Sequence, residues 1–321
     1  GRADRAAVTE FELIDLFTRG APRGGEGVVL GIGDDAALLA PPRGEVLAAT
    51  VDAVVEGVHF DARFRPGDVG WKALAVNLSD LAAMGARPLW ALCALATPRG
   101  ADPRRLAGIG RGLAACARAF DVALVGGNVT RARDLSLTVT VVGAARPRAV
   151  LTRGGASAGD HRLVAGTRGD AARGLAPGAA PALVRRQRRP SPQVALGAAL
   201  GGVASAALDV SDGLVQDLGH LCRASGAGAV VRAADLPLSP AYRRAAAHLR
   251  APLEAALAGG EDYELLVAVP SRKVRIALSL AARVGVPLTP IGEIVRGRGV
   301  RVLLPGGATY RVRRTGHDHL G

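Results

Sequence analysis

Six aspartates in this chain share an unusual setting. Asp34 and Asp35 interrupt the apolar stretch Val28-Val29-Leu30-Gly31-Ile32-Gly33 … Ala36-Ala37-Leu38-Leu39, Asp52 ends the run Glu45–Val51, and Asp209 and Asp212 close the run Ala206–Val210. Asp80 lies three residues after Asn77 among apolar neighbours, Ala73, Val76, Ala83 and Met84. Charged residues seldom sit inside apolar sequence unless they are paired or bind a metal. If these carboxylates converge, their repulsion demands divalent cations, and oxygen-only donors favour Mg²⁺ or Mn²⁺ over zinc. Several Mg²⁺ ions in one site usually carry a nucleotide triphosphate. The sequence has no G-x-x-x-x-G-K-[ST] loop and no H-R-D or D-F-G of a protein kinase. The expectation is an ATP site of another design.

Two glycine-rich stretches and one histidine add to the candidates. Gly126-Gly127-Asn128-Val129-Thr130-Arg131 reads as a turn at a strand end, where backbone can approach a phosphate and Thr130 and Arg131 can assist. Glu261 and Asp262 follow Gly259-Gly260, whereas Glu264 reads as a solvent-facing residue. His59 stands beside Phe60, a setting more often structural than catalytic. A rival reading takes Gly31-x-Gly33-x-x-Ala36 as a dinucleotide-binding fingerprint with Asp52 on the ribose. Asp34 and Asp35 oppose it, because they would repel a pyrophosphate from the turn.

The elements that must position these residues alternate between helix and strand. Thr9 and Glu12 form a capping box for a helix through Phe17. Strands are expected at Val28–Leu30, Glu45–Val51, Pro88–Thr97, Val122–Val125 and Leu135–Val142, with helices at Val69–Met84 and from Asp102 to about Arg118. Leu74, Leu78 and Leu81 form a buried stripe on the first of these helices, so Asn77 and Asp80 share another face. Around Arg146–Asp160 the texture turns to Pro, Gly and short apolar pieces, which marks a domain boundary. Beyond it, strands are expected at Arg162–Ala165, Ala206–Val210, Leu265–Val269, Thr289–Val295, Val300–Leu304 and Tyr310–Arg313. Helices are expected over Ala179–Arg189, Pro190–Val203, from a Ser211 cap to Ala224, and over Ser271–Val284. The class is α/β (α+β) with two domains, 1–148 and 149–321.

At 321 residues and 49% hydrophobic, the chain can bury a real core in each domain. The net charge of +13 and pI of about 11.1 invite a nucleic-acid reading. Against it, Lys72 and Lys273 are the only lysines, the arginine excess accompanies abundant Ala and Gly as in GC-rich coding, and 3% aromatic content leaves few stacking platforms. The run Arg185-Arg186-Gln187-Arg188-Arg189 reads as a solvated helix end. Cys93, Cys116 and Cys222 are widely spaced and read as reduced thiols of a cytoplasmic protein, not as a disulfide frame or zinc site. No apolar stretch is long enough to span a bilayer, and no signal region follows Gly1–Arg5. His317 and His319 read as tail residues.

Five motifs together resemble the thiamine-monophosphate kinase family. They are Gly31-Ile32-Gly33-Asp34-Asp35-Ala36; Thr50-Val51-Asp52 with Glu56-Gly57-Val58-His59-Phe60; Asn77-Leu78-Ser79-Asp80-Leu81-Ala82-Ala83-Met84-Gly85; Asp209-Val210-Ser211-Asp212-Gly213-Leu214; and Gly259-Gly260-Glu261-Asp262-Tyr263-Glu264. They occur in the family's order, and the resemblance covers about Glu10 to the C-terminus.

The resemblance implies the fold shared with aminoimidazole ribonucleotide synthetase and selenophosphate synthetase. That fold has an N-terminal α/β domain that dimerises through its sheet, a C-terminal α/β sandwich, and ATP between domains. It implies transfer of phosphate from ATP to thiamine monophosphate, a homodimer, and neither nucleic-acid nor membrane partners. By motif, Asp35, Thr50, Asp52, Asp80 and Asp212 would hold Mg²⁺, with Asp34 and Asp209 close by. Gly127, Arg153 and Ser211 would contact ATP, and His59 and Glu261 the acceptor. No residue would form a covalent intermediate. Asn128 stands where the family usually has a metal-binding aspartate, which leaves it as a candidate for both metal and ATP. Arg314 stands where an aromatic often holds thiamine. Within the superfamily, the chain lacks the reactive N-terminal Cys and Lys of selenophosphate synthetase and the terminal Cys of the hydrogenase maturation relative. An aminoimidazole ribonucleotide synthetase is the alternative, and it fits Asn77–Gly85 and Gly259–Glu264 less well.

Overall fold

The computed structural model describes residues 10–313 and Gly316. Arg314, His317 and His319 lie outside the described residues, as does Thr9 of the expected capping box. The chain divides into two compact units, one of residues 1–43, 49–77 and 88–144, the other of residues 44–48, 78–87 and 145–321. Among the described residues no helix is long and apolar enough to cross a membrane.

The first half of the chain runs α1 (Glu10–Thr18), β1 (Val28–Leu30), β2 (Leu38–Leu39), β3 (Val46–Val55), α2 (Pro66–Ala83), β4 (Arg87–Thr97), α3 (Pro103–Ala119), β5 (Ala123–Arg131) and β6 (Ser136–Ala145). β1 and β2 pair around the Asp34-Asp35 turn, and the other four strands form a sheet in the order β3-β6-β4-β5. Asp102 caps α3 by accepting the Arg104 N–H at 2.9 Å, with Pro103 in the first turn. α2 and α3 approach so closely that a Cβ on Gly70 would lie 1.9 Å from the Ile109 carbonyl oxygen. Only glycine allows that approach. Leu74, Leu78 and Leu81 are buried as their spacing requires, but the helix is buried nearly all round, Asn77 included.

Two strands outrun their sequence signals. β3 does not stop before Asp52 but continues to Val55. β5 does not end at Gly126: the stretch expected to be a turn stays in parallel pairing with β4, Cys93 against Gly127 and Thr97 against Arg131, with a bulge at Ala91/Leu92. A Cβ on Gly127 would fall 2.0 Å from the Cys93 carbonyl oxygen, so this glycine serves close strand approach rather than a reversal.

The second half contains β7 (His161–Ala165), α4 (Asp170–Gly174), α5 (Pro181–Arg188), α6 (Val194–Leu200), β8 (Ala206–Val210), α7 (Leu214–Ser225), β9 (Gly228–Arg232), α8 (Pro240–Ala246), α9 (Glu254–Ala258), β10 (Glu264–Val269), α10 (Val274–Arg283), β11 (Leu288–Val295), β12 (Gly299–Leu303) and β13 (Thr309–Tyr310). Seven strands pair in the order β13-β12-β9-β11-β7-β10-β8. Only the β12–β9 pair is parallel among those described. Side chains alternate across this sheet into two cores. Val164, Leu208, Val210, Leu266 and Ala268 meet Leu214, Leu218, Leu221 and Cys222 of α7. Leu163, Ala165, Ala207, Leu265 and Val267 meet Leu196 and Leu200 of α6, Ala277 and Ala281 of α10, and Ala82 and Ala83. β10 is covered on both faces, which explains its unbroken apolar run.

Here too the structure departs from expectation. α5 and α6 are shorter than their composition suggests, and the 271–284 helix begins as a 3-10 turn at Ser271–Lys273. The last strand covers only Thr309–Tyr310. α4, β9, α8 and α9 had no clear sequence signal. Cys93, Cys116 and Cys222 are free and buried, as expected of reduced thiols.

Candidate functional site

In the first unit the candidate residues sit on exposed backbone turns and strand faces. Asp34 and Asp35 are exposed, and the Asp35 N–H donates to the Asp34 carboxylate at 2.8 Å. Thr50 and Asp52 are two apart on β3 and share a face, whereas Leu47 and Val51 project from the opposite face. Gly127 and Asn128 are exposed on β5 opposite Cys93 and Ala94 of β4.

His59 lies in a tight turn after β3. The Gly57 N–H donates to the Phe60 carbonyl at 2.8 Å and the His59 N–H to the Val55 carbonyl at 2.9 Å. The imidazole Nδ1 accepts the Val55 N–H at 3.1 Å. With Nδ1 an acceptor, the neutral ring carries its proton on Nε2. The buried Lys72 ammonium donates to the His59 carbonyl at 3.2 Å and stands 5.6 Å from the centre of the Phe64 ring.

In the second unit the candidates rest on a buried polar scaffold. The Ser79 hydroxyl donates to Asp209 at 2.7 Å, which joins the stretches Asn77–Asp80 and Asp209–Asp212. Burial first, then the charge of Asp80, pushes the Asp209 carboxyl up to about 7; Ser79 and Arg153 pull the other way. Asp212 accepts from Gln216 at 3.3 Å. Ser211 does not cap α7. The cap position is Gly213, and the Asp212 and Gly213 N–H groups both donate to the Asp217 carboxylate at 3.0 Å. An acid in the first turn of a helix suits those unpaired N–H groups and the helix dipole. That was the available signal for Asp217. Arg153 is exposed, and its carbonyl accepts the Ser225 hydroxyl at 3.0 Å.

The segment after Gly259-Gly260 runs beside the end of β8. A Cβ on Gly260 would lie 2.4 Å from the Ser211 carbonyl oxygen, and the Glu261 N–H donates to that same oxygen at 2.7 Å. Glu261 accepts from the buried Gln187 at 3.2 Å. Asp262 and Glu264 are both buried. Asp262 pairs with the fully buried Arg168 at 3.2 Å, and burial drives its carboxyl upward against Arg168 and two backbone N–H groups. Glu264 does not face solvent: it is 1% exposed, ion-paired with Arg186, and accepts from Gln193 at 2.8 Å. Burial raises its carboxyl as well. The run Arg185–Arg189 is therefore not wholly solvated, since Arg186 and Gln187 turn inward to this scaffold. No spacing rule links residues 78 apart, so Arg186, Gln187 and Arg168 were invisible as partners in the sequence.

Taken unit by unit, Asp34, Asp35, Thr50, Asp52, Gly127, Asn128 and His59 fall in the first, and Asp80, Arg153, Asp209, Ser211, Asp212 and Glu261 in the second. Among the described residues no three His, Cys, Asp or Glu side chains are arranged to hold one metal ion.

Residues 33–145 match the N-terminal domain, and residues 155–305 the C-terminal domain, of AIR synthase related protein. The chain is 41% identical over 324 residues to thiamine-monophosphate kinase of Escherichia coli O157:H7, covering 98% of both proteins. The chain belongs to the thiamine-monophosphate kinase family. The crystal structure of the Stenotrophomonas maltophilia K279a thiamine-monophosphate kinase superposes with a TM-score of 0.80 at 44% identity, over 86% of this chain and 91% of that one. AaThiL complexed with AMPPCP and TMP superposes with a TM-score of 0.77 at 30% identity, over 98% and 97%. The fold is accordingly mixed α/β with N- and C-terminal domains of the AIR synthase type, as the five motifs implied.

Proposed function

We propose that this protein transfers the γ-phosphoryl group of ATP to thiamine monophosphate, releasing thiamine diphosphate and ADP. The observation that carries this reading is the end-to-end match to thiamine-monophosphate kinases, including AaThiL with AMPPCP and TMP.

The donor set suits Mg²⁺. Every candidate ligand offers oxygen, and the charge of Asp80, which adds to burial in raising the Asp209 carboxyl, is offset by a divalent cation. Asp35, Thr50, Asp52, Asp80 and Asp212 would hold the ions, with Asp34, Asp209 and Asn128 beside them. When bound, the ions neutralise charge on the phosphates during an in-line displacement. Gly127, Asn128, Arg153 and Ser211 contact ATP in this reading. The acceptor oxygen belongs to a phosphate already largely ionised at neutral pH, so no side chain is needed as a strong base. His59, with its proton on Nε2, donates to the acceptor, and Glu261 faces the cationic thiazolium of the same molecule. No enzyme nucleophile takes part, so configuration at phosphorus inverts.

Residues 1–148 form the ATP- and Mg²⁺-binding and dimerisation domain in this reading, and 149–321 the C-terminal domain. The homodimer is supported by the apolar residues that β3 and β4 leave uncovered: Leu47 is 49%, Val51 59% and Leu92 37% exposed. Exposed apolar sheet surface favours association. The free, buried thiols support a cytoplasmic location.

The test is ADP release from ATP and Mg²⁺ with a panel of phosphorylated acceptors. Turnover should require thiamine monophosphate. Equal ADP release without it, or preference for an aminoimidazole ribonucleotide precursor, overturns the reading. Retention with chiral-phosphate ATP would overturn direct transfer.

A further inference from the structure

The segment Glu261-Asp262-Tyr263 combines two features that local sequence does not favour. Glu261 has φ +67° and Tyr263 φ +50°, both in the left-handed region without being glycine. Each such residue costs about 1–2 kcal/mol. The residue between them, Asp262, is a buried carboxylate.

The surrounding bonds hold this conformation from two sides. On one side the backbone is fixed to the end of β8: the Glu261 N–H donates to the Ser211 carbonyl at 2.7 Å and the Tyr263 N–H to the Val210 carbonyl at 3.0 Å. On the other side the Asp262 carboxylate accepts the Gly169 N–H at 2.6 Å and the Ala171 N–H at 3.0 Å, and pairs with Arg168. Arg168 and Gly169 belong to the loop between β7 and α4, more than ninety residues earlier in the chain. A buried carboxylate with two backbone donors and a guanidinium is well satisfied. Releasing it would leave the two left-handed residues held from the β8 side alone.

We propose that Asp262, held by Arg168 and the Gly169 and Ala171 amides, is a positioning residue for the acceptor: it fixes the left-handed backbone that presents Glu261 beside Ser211. This rests on the reading that Glu261 contacts thiamine monophosphate. Asp262 itself touches no substrate. Its effect passes through the backbone of its neighbour, so it alters acceptor binding rather than ATP binding. Ser211 keeps its own carbonyl bond geometry through Gly260, where any side chain would collide with that oxygen.

The experiment is a double-mutant cycle on the full-length enzyme with Asp262→Asn and Glu261→Gln, measuring KM for thiamine monophosphate and for ATP separately. Asn is nearly isosteric but accepts with one oxygen only. Asp262→Asn should raise KM for thiamine monophosphate about tenfold, as expected for one lost charged hydrogen bond at a buried site. KM for ATP should stay within about twofold. The double variant should be no worse than the worse single variant, because both act through one contact. Arg168→Lys, which keeps the charge but alters the 3.2 Å contact with the carboxylate, should show the same pattern more weakly, and it stands in if Asp262→Asn does not fold. Equal rises in both KM values, or effects that multiply in the double variant, overturn the positioning role. Glu261→Gln leaving KM for thiamine monophosphate unchanged would instead overturn the assignment of Glu261 to the acceptor.

Discussion

The acidic residues of the two units are held in opposite ways. In the first, Asp34, Asp35 and Asp52 are exposed and the strand face that carries Asp52 is polar only at Thr50 and Asp52. In the second, Asp209, Asp217, Asp262 and Glu264 are buried, and each bonds to a partner: Ser79, the Asp212 and Gly213 amides, Arg168 or Arg186. Exposed carboxylates cost the fold little and wait for a ligand; buried ones must be satisfied before any ligand arrives. Mutation should therefore separate function from stability at the acids that are not buried and join them at the buried ones.

The largest effect is expected from charge removal at the metal candidates. Asp52→Asn and Asp80→Asn should each lower turnover by about 10³-fold while the protein remains folded. Steady-state rates beside circular dichroism decide it, and wild-type turnover in either variant would remove that residue from the cluster. Next comes the buried scaffold. Glu264→Ala leaves Arg186 without its partner and should cost about 3 kcal/mol in denaturant unfolding. The exposed Asp34→Asn should stay within about 0.5 kcal/mol in the same measurement. Similar losses for both would erase the contrast between the units.

Asp209 gives the comparison a pH signature in chelator-treated protein. Its folded carboxyl is raised to about 7 from 3.8, so the folded state holds this proton more tightly than the unfolded chain. The stabilisation is complete below the unfolded value and is lost as pH rises through the folded one. Asp209→Asn stays neutral throughout. It should match wild type in acid and exceed it in melting temperature above neutrality; parallel profiles would mean that burial and Asp80 do not raise the Asp209 carboxyl. His59→Ala should raise KM for thiamine monophosphate about tenfold and leave KM for ATP nearly fixed. The reverse pattern would move His59 to the nucleotide.

The smallest effect on activity belongs to Asn128. An amide oxygen can ligate Mg²⁺ but lacks the carboxylate's charge, and a +13 chain already disfavours cations. Asn128→Asp should lower the Mg²⁺ concentration for half-maximal activity, by at most about tenfold, or 1.4 kcal/mol. An unchanged midpoint would leave Asn128 as a residue of the β4–β5 pairing only.

By itself the sequence determined the two-domain α/β class, most strand positions, the Asp102 cap and the order of the five motifs. These depend on periodicity and on residues a few positions apart, which local geometry reads directly. Tertiary structure alone decided the rest. β5 runs on through Gly126-Gly127 because β4 lies alongside to accept its pairing, where the isolated glycines signal a turn. Glu264 turns inward because Arg186, 78 residues away, is there to meet it. Ser211 yields the start of α7 to Asp217, whose carboxylate reaches both Asp212 and Gly213. The left-handed backbone at Glu261 and Tyr263 exists because Arg168 and β8 flank it. Except at Asp217, which lies four and five residues from the amides it accepts, the deciding partner is distant in sequence, and the free energy of a buried polar group depends on that partner rather than on its own neighbours.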